Sequence, residues 1–185
     1  SALMRSLIAL MRDYPVLRRA SLVQGLLGIS YGSFWATLAL MMADLHGLGA
    51  AATGLIAIPG AAGILVAQPV GRWVDRAGPR PAVLLGICFV IAAYIALGFA
   101  GLAVAIVALG ALLLDCGIRA TSVSNQAHLT GIDAQARSRI NTVFVLHMFG
   151  GNAIGAFVGS VALSTGGWTA VCVSALAFAS LALYL

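Results

Sequence analysis

The sequence predicts an all-α polytopic membrane protein with six transmembrane helices. Three observations carry this. Of the 185 residues, 62% are hydrophobic and 8% charged, with a mean hydropathy of +1.06. A soluble domain carries about 25% charged residues to cover its water-facing surface. The apolar residues fall into six runs, each close to the roughly 20 residues that cross a bilayer as a helix. All ten basic residues are arginines, and they gather around alternate loops. Strands are excluded by the length of the runs, their lack of alternation, and the cost of open sheet edges in lipid.

Residues 1–19, "SALMRSLIALMRDYPVLRR", read as a cytoplasmic linker or an interfacial segment. In one reading Pro15 ends a short amphipathic helix; in the other the stretch is a solvated linker. "MRDYPVLRR" interrupts any signal-peptide pattern, and the chain reads as a piece of a longer protein. The spans of the bundle, 20–185, then follow. The first, 20–43, carries Gly28 and Gly32 at GxxxG spacing. The second, 50–71, contains "AIPGAAG", which predicts a kink. The third is 81–99 and the fourth 102–122. The fifth, 140–163, carries Gly151, Gly155 and Gly159; the sixth is 168–185. Glycines four apart let two helix backbones approach closely, which serves contact within a chain or dimerisation.

The loops set the orientation. Arg5, Arg12, Arg18 and Arg19 precede the first span, and Arg72, Arg76 and Arg80 lie between the second and third. Arg119, Arg137 and Arg139 are counted with the loop between the fourth and fifth. "DLHGLG", "AGL" and "STGG" hold none. The positive-inside bias places the N-terminus and the arginine-rich loops in the cytoplasm and the other three loops outside. The net charge of +5 thereby belongs to bilayer topology, with lipid and not nucleic acid as the partner. Cys88, Cys116 and Cys172 lie in apolar runs without a CxxC pair and read as small buried hydrophobes. No metal or cofactor is implied. HExxH, GxSxG and phosphate-loop motifs are absent, and no glycine motif supports a serine beside His147 as an intramembrane protease dyad, so an enzyme is not expected.

The densest charge lies in "PVGRWVDRAGPRP", between the second and third spans. Gly71, Asp75, Arg76, Gly78 and Arg80 resemble the G-x-x-x-D-R-x-G-R-R loop of the major facilitator superfamily, which recurs at the same link in each six-helix half. The resemblance implies gating residues that tie helix ends together in one transport state. Pro79 departs from the pattern, standing where the family has a basic residue. "LLLDCGIRATSVSNQAHL" and "ARSRINTVF", with Asn125, Gln126, Arg137, Ser138, Arg139, Asn141 and Thr142, are similar to the C-terminal half of the bacterial drug-exporter-like branch. Arg119 and His147 depart from that branch. The resemblance covers nearly the whole chain. It implies the second half of a twelve-helix secondary transporter of the bacterial inner membrane, with proton-coupled efflux of a small molecule by alternating access. Its partner would be the N-terminal six-helix half of the same protein, or a second copy in a homodimer. The alternative is a six-span structural or assembly subunit that transports nothing.

Three groups of residues are candidates for the chemistry. Asp115 lies inside an apolar span, four residues before Arg119 and on the same helix face. Since a charge at depth is paired or faces water, Asp115 is either a proton-coupling carboxylate or a structural partner of Arg119, Arg76 or Arg80 near the cytoplasmic end. His147, about 10 Å into the fifth span, either works with protons or is neutral and hydrogen-bonded to a neighbouring helix. Gln24, Tyr31 and Trp35 share one face of the first span and form either a cavity wall for an apolar or cationic substrate or part of the core. Asn141 is placed with this cavity at the mouth of the fifth span.

Overall fold

A computed structural model describes residues 9–61, 65 and 67–185 of the chain, and among these no strand occurs. A helical stretch at 9–13 leads into α1 (Pro15–His46). Then come three shorter helices, α2 (Ala50–Leu55), α3 (Ala57–Ala61) and α4 (Ala67–Ala77). The rest is α5 (Pro79–Leu97), a 3₁₀ turn at Ala100–Leu102, α6 (Val104–Leu129) and α7 (Arg137–Tyr184). Four of these, α1, α5, α6 and α7, are long and apolar enough to cross a membrane.

Prolines and glycines set the boundaries. Pro15 occupies the first turn of α1, where a missing N–H is tolerated, so it opens that helix. Leu10, Met11 and Tyr14 of the leader pack on Leu17, Leu129, Ile140 and Phe144, which docks the leader on the bundle. The second expected span differs from its reading. Residues 50–77 are divided among α2, α3 and α4, with Pro59 inside α3; residues 62–64 and 66 lie outside the described part. The arginine-rich segment is mostly helical rather than a loop. Its turn is the single residue Gly78, at φ 79°, a left-handed conformation that favours glycine. Pro79 then opens α5, which gives the residue that breaks the family pattern a local structural role.

A straight 48-residue α7 would be about 72 Å long at 1.5 Å per residue, well beyond a bilayer. It is not straight, because Gly167 (φ 66°, ψ −164°) breaks it. Before the break, Gly151 lies against Gly25, Gly155 against Ile29 and Gly159 against Ser33, so this part runs alongside α1 in the same direction. After the break, the Trp168 ring sits 6.4 Å from that of Phe34, and Ser30 Oγ donates to the Ala175 carbonyl at 2.9 Å. The chain therefore reverses at Gly167 and returns antiparallel to α1. A second hairpin joins α5 and α6, where Gly86 and Gly117 each lie against the other's backbone.

The core follows from these hairpins. Phe34, Met41 and Met42 of α1 meet Ile87, Tyr94 and Leu97 of α5, Val107 and Leu114 of α6, and Val171 and Ala175 of α7. Burial of such side chains contributes little in lipid, where helix contact depends on close packing. Leu84, Ile95, Phe149, Phe157 and Val173 point outward and are exposed, as expected of a surface in contact with lipid.

Two ends emerge. At one, His46 Nε2 lies 2.9 Å from the Ala100 carbonyl and Trp168 Nε1 donates to the Leu97 carbonyl at 2.7 Å. "DLHGLG", "AGL" and "STGG" meet there. At the other, the Tyr14 hydroxyl donates to Asp133 at 2.9 Å, and a cleft of ≈ 510 Å³ is lined by Arg19, Arg80, Asn125, His128 and Leu185 among others. Among the described residues the first end carries no arginine.

Candidate functional site

The one acidic side chain described inside the apolar part of the bundle is Asp115. It is 4% exposed and lies on α6 eleven residues after Val104 and fourteen before Leu129. The sequence reading put it near the cytoplasmic end because the fourth span was expected to stop at about residue 122. In the structure α6 continues through Asn125 and Gln126, so that about 21 Å of helix lies between Asp115 and the arginine-bearing end. Asp115 is at mid-length.

Its partner comes from α1. The Tyr31 hydroxyl donates to Asp115 Oδ1 at 3.2 Å, and Oδ2 is buried with no partner. Tyr31 is itself halfway along the 32-residue α1. Trp35, one turn on, stands 6.1 Å from Tyr31 ring to ring, with its Nε1 buried and unpartnered. Tyr31 and Trp35 are half-buried, so this cluster reaches the surface of the bundle. Arg119 is exposed on α6, about one turn beyond Asp115, and belongs to the helix rather than to the loop with which it was counted.

Other candidates are placed elsewhere. Gln24 is fully buried two turns from Tyr31, and both polar atoms of its amide lack a partner. It does not sit on an open wall with the two aromatics. Asn141 is exposed near the start of α7 beside Gln126, Thr130 and Arg137, far along the bundle from Tyr31. His147 is ten residues into α7, about 15 Å, and its Nδ1 lies 2.8 Å from the Val143 carbonyl of the same helix. A carbonyl only accepts, so Nδ1 carries a proton in that bond. The His147 backbone also forms the surface against which Gly25 packs.

In the arginine-rich segment, Val70 and Val74 of α4 pack on Ala82 and Ala120, which leaves Arg72 and Arg76 exposed. Arg80 lines the cleft, and Gly71 has open space around it. The Asp75 side chain lies outside the described part.

The glycine stripes of α1 and α7 face each other. A Cβ on Gly28 would come within 2.8 Å of the Met148 carbonyl, and one on Gly32, Gly151 or Gly155 would overlap the opposing backbone. Gly159 lies against Ser33 in the same way. Asn152, half-buried between the Gly28 and Gly32 contacts with Oδ1 unpartnered, was not singled out from sequence; its signal is a lone amide in an apolar run. Among the described residues no group of three His, Cys, Asp or Glu is arranged to hold a metal.

The chain is 28% identical over 173 residues to the uncharacterized transporter YgaY of Escherichia coli O157:H7, covering 93% of this chain and 44% of that protein. It is 29% identical over 165 residues to the probable transporter SCO4007 of Streptomyces coelicolor, covering 88% of this chain and 38% of that protein. The chain thus spans less than half the length of these curated relatives. No family model matches it.

Proposed function

We propose that the chain is one six-helix repeat, the second half, of a major-facilitator-type secondary transporter that exports a small molecule against proton entry. The observation that carries this is the Tyr31–Asp115 pair at mid-length of two long apolar helices. An ionisable group there is costly, about 2.5–3.5 kcal/mol on insertion scales, and is retained where it lines a substrate or ion path. Substrate and coupling ions in such transporters bind near the bilayer midplane between two repeats. The relatives named as transporters, more than twice as long as the matched stretch, support the same reading.

The face that would meet the other half follows from the same residues. Tyr31, Trp35 and the exposed Arg119 lie on it, and an arginine at that depth does not face lipid. A small-molecule site there has aromatic walls and one carboxylate, suited to an apolar or cationic substrate. Alternating access would proceed by rocking the two halves, with Arg76, Arg80 and Asp75 tying helix ends together in one of the two states. The bacterial inner membrane is the location that fits, with the arginine-bearing end in the cytoplasm.

The test uses the full-length protein in cells with ethidium as the probe. Asp115→Asn is expected to bring proton-driven ethidium efflux to background while expression is unchanged. Efflux that keeps its full dependence on the proton gradient would remove Asp115 from coupling. An upstream coding region without a further six spans and a second G-x-x-x-D-R-x-G segment would leave only a homodimer or the non-transporting subunit.

A further inference from the structure

We infer that Ser21, Gln24 and Asn125 form a hydration track leading from the cleft at the arginine-bearing end to Asp115 Oδ2. This deepens the transport reading and rests on it for its purpose. The observations that carry it are independent of that purpose.

Polar core side chains differ on the two sides of the Tyr31–Asp115 pair. Toward the arginine-free end nearly every one has a partner. Ser30 donates to the Ala175 carbonyl at 2.9 Å, Ser33 to that of Gly155 at 2.9 Å and Thr37 to that of Ser33 at 2.6 Å. The Tyr94 hydroxyl donates to the Ser30 carbonyl and Trp168 Nε1 to that of Leu97. The exceptions are Trp35 Nε1, which adjoins the pair itself, and Asn152 Oδ1, which is level with the pair between Gly28 and Gly32. Toward the arginine-bearing end Thr121 and Ser124 bond back to their own helix, whereas Ser21 Oγ, both polar atoms of Gln24 and Asn125 Nδ2 are buried with no partner among the described residues. Ser21 and Gln24 are fully buried and Asn125 is 8% exposed.

Their spacing is ordered. In the hairpin-like pairing of α1 with α6, Tyr31 stands opposite Asp115. Ser21 is ten residues from Tyr31, and Asn125 is ten residues from Asp115 in the opposite chain direction, so both lie about 15 Å from the pair. Gln24 lies between, about 10 Å from it. The outer end opens on the cleft, whose lining includes Asn125 together with Ala20 and Val23, the residues beside Ser21 and Gln24.

A buried polar group left unmade costs about 1–3 kcal/mol, and Ser21, Gln24 and Asn125 carry four such atoms between them. Water satisfies groups of this kind and typically makes about three hydrogen bonds. A hydroxyl and two amides both donate and accept, so they orient a water chain without holding a charge. A proton leaving Asp115 Oδ2 would pass along it to the arginine-bearing end, while Oδ1 keeps the hydrogen bond from Tyr31.

Cysteine accessibility tests this in the full-length protein. Cys88, Cys116 and Cys172 are first replaced by alanine. Single cysteines at Ser21, Gln24 and Asn125 are compared with single cysteines at Ser30 and Thr37. The membrane-impermeant probe is a charged methanethiosulfonate, which reacts with thiolate and therefore reports water. Labelling at 21, 24 and 125 is expected to be about tenfold faster than at 30 and 37, and only from the arginine-bearing side. Equal rates in the two sets, or entry from the opposite side, would overturn the track. Ser21→Cys is nearly isosteric, so the test survives a failure of Gln24→Cys to fold. Labelling as expected with proton coupling intact in Asp115→Asn would keep the track and remove its assigned purpose.

Discussion

At the scale of single residues, Tyr14 ties the leader to the loop before α7 and does so outside the apolar part of the bundle. Asp133 accepts from the Tyr14 hydroxyl through Oδ2 and from the Gln135 and Ala136 backbone N–H groups through Oδ1, at 2.8 and 3.2 Å. These bonds favour the charged carboxylate and hold its pKa below the ordinary value, the Tyr14 bond foremost. The same bond, followed by the charge of Asp133, raises the Tyr14 pKa. A lowered carboxylate stabilises above its unfolded pKa and loses that contribution as pH falls through the folded value. A raised phenol stabilises below its unfolded pKa and loses the contribution as pH rises past the folded one. The tie is therefore expected to hold at least from about pH 5 to pH 9. A spin label at Arg12→Cys should show constant mobility across that range and loosen below it, and Tyr14→Phe should show the loose spectrum at pH 7. Mobility unaffected by Tyr14→Phe would mean that the apolar contacts of Leu10 and Met11 hold the leader alone.

The same scale shows what a sequence conceals. Arg119, four residues from Asp115, is the partner that helical spacing suggests, whereas Tyr31, 84 positions away, is the one the fold supplies. Local periodicity ranks neighbours on one helix and has no access to which helix comes next to it. The depth of Asp115 was misread for a related reason. "SVSNQAHL" has the composition of a loop, yet it continues α6 because its polar side chains bond within the helix, Ser124 to Ala120 and Gln126 to Ser122. Apolar character was legible from the run lengths because it is a property of composition. The unpartnered amides of Asn152 and Asn125 were not, because an unpartnered atom is defined only by its surroundings.

At the scale of elements, the α1–α7 contact depends on absent side chains. Gly155 meets the Ile29 backbone and Gly151 that of Gly25, so any added carbon forces the helices apart. Overpacking of a tight contact costs typically 1–3 kcal/mol, and a backbone that cannot give way takes the upper part of that range. Gly155→Leu is expected to lower the apparent melting temperature and the yield of monodisperse protein, while Gly150→Leu, where nothing is near, is expected to leave both unchanged. Size-exclusion profiles of the two variants check this. The glycine spacing was legible in sequence as a close contact, but its partner was not. GxxxG specifies a smooth surface and carries no address.

At the scale of the whole molecule, the two ends differ in charge, and that difference predicts the topology. Single cysteines at Ser164 and at Arg76 are expected to label from opposite sides of the membrane, with position 76 reached only from the cytoplasm. Labelling of position 76 from outside intact cells would invert the arrangement. Hydropathy alone gave the boundary at "STGG", since glycine and small polar residues interrupt the apolar run. It missed the division of 50–77 into three helices, because the sequence of 50–67 carries no charge and reads as one apolar run, while the charged residues of α4 begin only at Arg72.

The reversal at Gly167 also bears on how the chain enters a membrane. With one residue as the bend and no charge in 164–167, the last two rods share a tip that contains no anchor of its own. The two rods are therefore expected to leave the translocon together as one hairpin. An arginine pair placed at that tip would meet the positive-inside bias during synthesis, before any packing in the finished bundle could compensate.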